Sequence, residues 1–167
     1  LESAPVDLAT VTETILRDNE EIAAEHSTQF KFASSGDTTV TADKRRVSRI
    51  IRNLVVNAIE HCDGTNVEVE ILGNESCVSI SVRDHGQGIA VEDLSRVFGR
   101  FWRADPARQR TLGGTGLGLS ISAEDAALHG GIIDVWGAPN EGAQFVLTLP
   151  RIELGAISEV AISAGAP

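Results

Sequence analysis

Arg49-Ile50-Ile51-Arg52-Asn53-Leu54-Val55-Val56-Asn57-Ala58-Ile59-Glu60-His61 is the stretch on which the reading of this chain turns. Val47, Ile50, Ile51, Leu54 and Ala58 recur at helical spacing, the stripe of an amphipathic helix packed on a core. The pattern predicts a helix over 43–61, closed by Asp63-Gly64. Asn53 and Asn57 stand four apart, one above the other on the adjoining face. Asn is a poor helix-interior residue, because its amide competes for backbone hydrogen bonds. Two of them one turn apart, at the rim of a buried face, point to something polar there. Stacked amide oxygens suit a hard cation such as Mg²⁺, which takes few protein ligands and fills its shell with water and phosphate oxygens. On its own, the stretch is equally well explained by two solvated asparagines beside a core stripe.

A chain of 167 residues with 42% hydrophobic residues fits one domain with a real core. No apolar run approaches the ~18 residues of a membrane span, and no basic-then-apolar leader opens the sequence. The chain begins Leu1-Glu2-Ser3 and contains no Met, so it reads as a piece of a longer protein. A net charge of −10 argues against nucleic acid and anionic membrane as partners. Arg100, Arg103, Arg108 and Arg110 are the local exception, with only Asp105 opposing them. Such a loop either handles a small polyanion or is simply solvated. Cys62 and Cys77 have no metal or redox spacing and read as small apolar residues in a reducing compartment. His26, His61, His85 and His129 show no metal spacing, and none is assigned to catalysis.

Taken in order, Pro5-Val6-Asp7-Leu8 predicts the start of a helix running to Glu25, with Asp7 as its cap. Short strands are expected over 29–33 and 38–41. Val67, Val69 and Ile71, then Val78, Ile80 and Val82, alternate across Gly73-Asn74-Glu75 as an antiparallel hairpin. A short helix is expected over 92–98, followed by a polar and basic stretch over 102–115, long enough to be a lid. A helix to His129 and a final hairpin, 132–136 with 143–149, complete the pattern. No role is assigned to the tail, 151–167. These elements predict an α+β fold: a two-layer sandwich with helices on one face of a mixed sheet.

Asp84-x-Gly86-x-Gly88 follows an apolar strand. A strand-end carboxylate with two glycines behind it can face a pocket, and the glycines allow close approach of a flat ligand. Ionised, it only accepts hydrogen bonds. It would take the exocyclic amine of adenine and repel the carbonyl oxygen that guanine carries there. A structural or calcium-like turn is the other reading of the motif. Gly113, Gly114, Gly116 and Gly118 expose backbone N–H groups where a helix begins, which makes an anion cradle. The run lacks the Gly-Lys-Ser/Thr of a Walker loop and the spacing of the dinucleotide fingerprint. A flexible hinge is the alternative. Phe98 and Phe101, spaced i and i+3, read as an apolar anchor for the loop root, and Arg103 has the chemistry to reach a terminal phosphate.

In this order, Asn53-x-x-x-Asn57-Ala58, Asp84-x-Gly86-x-Gly88, Phe98-x-x-Phe101 and Gly114-x-Gly116-x-Gly118-Leu119 resemble the N, G1, F and G2 boxes of sensor histidine kinases of two-component systems. The likeness is to their ATP-binding catalytic domain, built on the Bergerat fold shared with gyrase, Hsp90 chaperones and MutL proteins. It covers about Pro5 to Pro150, within an expected domain over 1–150. It implies Mg²⁺ on Asn57, with Asn53 a second candidate ligand, and the adenine amine on Asp84 in a pocket shaped by Gly86 and Gly88. It implies phosphates bound along Gly114, Thr115, Gly116, Leu117, Gly118 and Leu119, and a long ATP lid over 102–115 with Arg103 above them. Glu60 and His61 depart from the family, which commonly carries Lys or Arg, then Tyr or Phe. The phosphoacceptor histidine and its base are absent from this chain.

The implied activity is transfer of the γ-phosphate of Mg-ATP to a histidine on a dimerisation domain. The implied partners are that domain and a cognate response regulator. The implied setting is the cytoplasmic part of a membrane-anchored receptor, homodimeric when whole and monomeric as this piece. An anti-sigma-factor-type serine kinase and a non-enzymatic nucleotide-binding regulator share the fold. The Phe-x-x-Phe box and the lid length favour the histidine kinase, and Glu60 favours the regulator.

Overall fold

The computed structural model describes residues 1–103 and 116–151. Strand β1 (Ser3–Asp7) leads into helices α1 (Leu8–Asp18) and α2 (Glu20–Glu25). Strands β2 (Phe30–Ser35) and β3 (Thr39–Asp43) precede helix α3 (Lys44–His61). The hairpin of β4 (Val67–Gly73) and β5 (Cys77–Asp84) follows. Helix α4 (Gly118–Leu128) and strands β6 (Ile132–Ala138) and β7 (Gly142–Pro150) finish the fold.

The main sheet has the order β2-β4-β5-β7-β6. It is mixed because β2 pairs parallel with β4 while every other pair is antiparallel. The expected α+β architecture is therefore present. Val67, Val69 and Ile71 of β4, Val78, Ile80 and Val82 of β5, and Phe145, Leu147 and Leu149 of β7 are buried, alternating with more accessible neighbours. One face of the sheet thus forms the floor of the core. Val47, Ile50, Ile51, Leu54, Val55, Ala58 and Ile59 of α3 press on it. The α3 stripe is wider than its first five residues suggested. Asp43 caps α3, accepting hydrogen bonds from the Arg45 and Arg46 amides.

Three local expectations fail, each for a physical reason. The helix expected from Pro5 to Glu25 is instead β1, α1 and α2. Ser3–Asp7 pairs antiparallel with β3, from Ser3 opposite Asp43 to Asp7 opposite Thr39. Only Val6 is buried there, so the strand has almost no apolar signal. Asn19 then divides the helix, because its side-chain amide donates to the Ile15 carbonyl at 2.7 Å and competes with the helical ladder. Asp7 does cap α1, and it also accepts from the Thr38 hydroxyl, which ties the helix start to β3.

The helix expected over 92–98 is one 3₁₀ turn, Val91–Asp93, followed by further turns. Its bonds run i to i+3: Asp93 N–H to Ala90, Leu94 to Val91, Arg96 to Asp93 and Gly99 to Arg96. A segment this short, bounded by Gly99, gains too few bonds to repay helix nucleation. Finally, the Phe98/Phe101 anchor is half right. Phe98 meets Phe145 edge-on, with ring centroids 6.1 Å apart. Phe101 has a positive φ of 63° and is 70% exposed. Its backbone, not its ring, forms the loop root, donating from N–H to the Gly116 carbonyl at 2.9 Å.

Candidate functional site

Asp84 ends β5 directly opposite Ala143 of β7. It follows the inward alternation of Val78, Ile80 and Val82, so its carboxylate enters the core side of the sheet and is 2% exposed. A buried carboxylate is costly unless it is bonded. Here one oxygen accepts the Gly86 amide at 3.0 Å. Burial pushes its pKa up to about 6, against the pull of the Gly86 and Ala143 amides.

Asn57, His61, Asp84, Gly88, Ile89, Trp102, Leu119, Ala143 and Phe145 line a partly open pocket of about 340 Å³, solvent at its mouth included. The pocket is mostly apolar, with a few convergent polar groups, which is the usual character of a small-molecule site. α3 contributes Asn57 and His61 from its C-terminal half, and α4 contributes Leu119 from its first turn.

The two glycines of the Asp84 motif serve the protein's own backbone. A Cβ on Gly86 would stand 1.6 Å from the His61 carbonyl oxygen, so glycine lets this loop lie against the end of α3. Gly88 has φ of +75°, and a Cβ there would stand 1.8 Å from the Ala138 carbonyl. The close approaches at these two glycines are those of the ends of α3 and β6.

Asn53 and Asn57 separate in role. Asn53 donates its amide N–H groups to the Gly118 carbonyl and the Ser122 hydroxyl, both at 3.0 Å, leaving its oxygen as the atom for a cation. Asn57 faces the pocket. Among the described residues, no three His, Cys, Asp or Glu side chains gather as a metal cage. The donor set near Asn57 fits an ion that takes one or two protein oxygens and completes its shell with ligand and water.

Gly116, Leu117, Gly118 and Leu119 lie at the opening of α4, where no side chain caps the helix and the first amides are available to an anion. Gly113, Gly114, Thr115, Arg108 and Arg110 lie outside the described residues, as do 104–115 of the expected lid. Arg103 is exposed. Arg100 pairs with Glu124 of α4 at 3.0 Å.

Sequence reasoning left His61 unassigned and missed Ile89, Trp102, Ala143 and Phe145. Phe145 is readable only as one more inward residue of β7, and Trp102 only as part of a polar loop. Their convergence depends on pairings between strands distant in sequence.

A family described as "Histidine kinase-, DNA gyrase B-, and HSP90-like ATPase" matches residues 42–153. Sensor histidine kinase MtrB of Mycobacterium tuberculosis is 43% identical over 148 residues, covering 88% of this chain and 26% of MtrB. The chain thus spans about a quarter of that relative's length. The catalytic domain of histidine kinase ThkA superposes with a TM-score of 0.78 at 27% identity, covering 90% of this chain and 97% of that one. Full-length ShkA, in complex with AMPPNP, superposes with a TM-score of 0.79 at 28% identity, covering 92% of this chain and 32% of ShkA.

Proposed function

The chain belongs to the family of histidine kinase-, DNA gyrase B- and HSP90-like ATPases, and from that premise we propose that it binds Mg-ATP and presents the γ-phosphate to a histidine outside this chain. The observation that carries this reading is the buried Asp84 carboxylate at the floor of an apolar pocket, with Asn57 and the opening of α4 beside it. The purine enters among Ile89, Trp102, Leu119 and Phe145, and its exocyclic amine donates to Asp84. Asn57 holds Mg²⁺ through its amide oxygen, with Asn53 as second candidate. The ion supplies charge neutralisation of the phosphates, and the amides of Gly116, Leu117, Gly118 and Leu119, with Gly114 and Thr115, receive the phosphate chain. Arg103 lies near enough in sequence to the loop root to cover it. Phosphoryl transfer is mainly positioning and charge stabilisation, and these residues supply that half of it.

The acceptor histidine and its base come from a dimerisation domain, and a response regulator then receives the phosphoryl group. The whole protein is a homodimeric receptor with this domain in the cytoplasm. Support for this setting comes from the similarity to sensor kinases. No helix among the described residues is long and apolar enough to cross a membrane.

Calorimetry with ATP and GTP in the presence of Mg²⁺ tests the reading. The chain is expected to prefer ATP by about 10² or more, since a mismatched buried polar contact discriminates strongly. Asp84→Asn is expected to abolish the preference. Because the carboxylate must be ionised to accept the amine, ATP affinity is expected to fall as pH drops through about 6. Equal binding of ATP and GTP by the parent chain contradicts the reading. Transfer of phosphate to an added histidine-bearing dimerisation domain tests the kinase step itself.

A further inference from the structure

Helix α4 carries Leu119 and the amides of the anion cradle, so its placement against α3 fixes how far the cradle stands from Asn57. What holds it there is unusual for a helix packed on a core. Its buried residues are Ser120, Ser122, Asp125 and Ala126, only one of them apolar. The contact with α3 is instead a polar seam that runs along α4 and the N-terminal half of α3 in antiparallel sense. At the pocket end, Asn53 bonds Gly118 and Ser122. At the far end, the His129 ring accepts the Asp43 amide at 3.0 Å and pairs through its other nitrogen with the Asp125 carbonyl at 2.7 Å.

Between these ends lies Asp125, 2% exposed. One carboxylate oxygen takes Arg46 at 2.7 Å, and the other takes Arg49 twice, at 2.9 and 2.6 Å. Arg49 thereby engages through two N–H groups in a fixed fork. Apolar contact is non-directional and tolerates sliding. Charge-assisted hydrogen bonds fix both distance and angle. A misplacement on the order of 1 Å costs much where phosphates are positioned.

We propose that Asp125 is a positioning residue: by clamping Arg46 and Arg49, it sets the register of α4 on α3 and so places the phosphate cradle opposite Asn57. The inference rests on the nucleotide reading of the pocket and adds to it a residue that touches no nucleotide. The purine end of the pocket is built mainly on Asp84, Ala143 and Phe145 of the sheet, with Leu119 its single lining residue from α4, so it depends little on the clamp. Loss of the carboxylate therefore weakens the phosphate part of binding and spares the purine part. The fold tolerates the loss, because Arg46 also has the Asp43 carboxylate at 3.7 Å and Arg49 is half-exposed.

The test measures affinity for AMPPNP with Mg²⁺ and for adenosine, in the parent chain, Asp125→Asn, Arg49→Gln and the double variant. AMPPNP affinity is expected to fall about 2- to 30-fold in each single variant, with adenosine affinity unchanged within about twofold. The double variant is expected to be no worse than the worse single one. Should Asp125→Asn fail to fold, Arg49→Gln carries the same comparison from a half-exposed side chain. Equal loss for both ligands, or no loss for either, overturns the positioning role and leaves the seam as ordinary structural adhesion. Failure of the parent chain to bind either ligand overturns the nucleotide reading, and the positioning role with it.

Discussion

Helices α3 and α4 lie side by side over one sheet and are held by opposite means. α3 buries Val47, Ile50, Ile51, Leu54, Val55, Ala58 and Ile59, and its place is fixed by apolar area removed from water. α4 buries two serines, an aspartate and an alanine, and its place is fixed by directional bonds to Asn53, Arg46, Arg49 and the Asp43 amide. The proposed site spans both. Asn57 sits on the helix placed by apolar packing, and the amides proposed for the phosphates sit on the helix registered by directional bonds.

The largest expected effect probes the apolar-packed helix. Leu54→Ala, at a fully buried position, is expected to cost about 2–5 kcal/mol in chemical denaturation. A cost below about 1 kcal/mol would erase the contrast between the helices. Next comes the floor that α3 closes over. The folded pKa of Asp84 is raised to about 6, so the folded state keeps this proton over a range where the unfolded chain has lost it. Its contribution is fully present below about pH 4 and is lost as pH rises through 6. Asp84→Asn is therefore expected to stabilise the ligand-free chain by up to about 3 kcal/mol at pH 7.5 and by little at pH 4. Denaturation curves at the two pH values check this, and a destabilised variant at pH 7.5 would contradict it.

A smaller effect belongs to the polar seam. Ser122→Ala removes one acceptor of the Asn53 amide and is expected to cost about 1 kcal/mol. Hydrogen exchange in α4 is expected to rise while that in α3 stays unchanged, and equal rises in both would blur the comparison. Smaller still, and of the same kind as an isolated cap, Asp7→Ala is expected to cost about 0.5–1 kcal/mol of thermal stability without altering either helix of the site.

The same contrast explains what the sequence disclosed. α3 was legible because seven buried apolar residues repeat at one period, and β4, β5 and β7 because their alternation is clean. Asp84 and Asn57 stood out at the margins of those patterns, one at the end of an apolar strand and the other on the face beside the α3 stripe. The polar seam left no such mark. Ser122, Asp125 and His129 look like solvent-facing residues of a short helix until Asn53, Arg46, Arg49 and Asp43, some 69 to 86 positions away in the chain, are brought against them. β1 was hidden for a related reason, since one buried Val and a strand partner running from Ser3 opposite Asp43 to Asp7 opposite Thr39 specify it. Phe101 was misread because spacing reports which residues share a face only if the segment is helical, and here it turns at a positive φ.

The central claim is that a purine sits on Asp84 with its phosphates carried between α3 and α4. A crystal structure of the chain with Mg²⁺ and AMPPNP tests it most directly. The account predicts the adenine amine within hydrogen-bond distance of the Asp84 carboxylate, the ion on the Asn57 amide oxygen, and the phosphates against the opening of α4. A purine seated elsewhere, or an empty pocket beside a bound nucleotide, would contradict it.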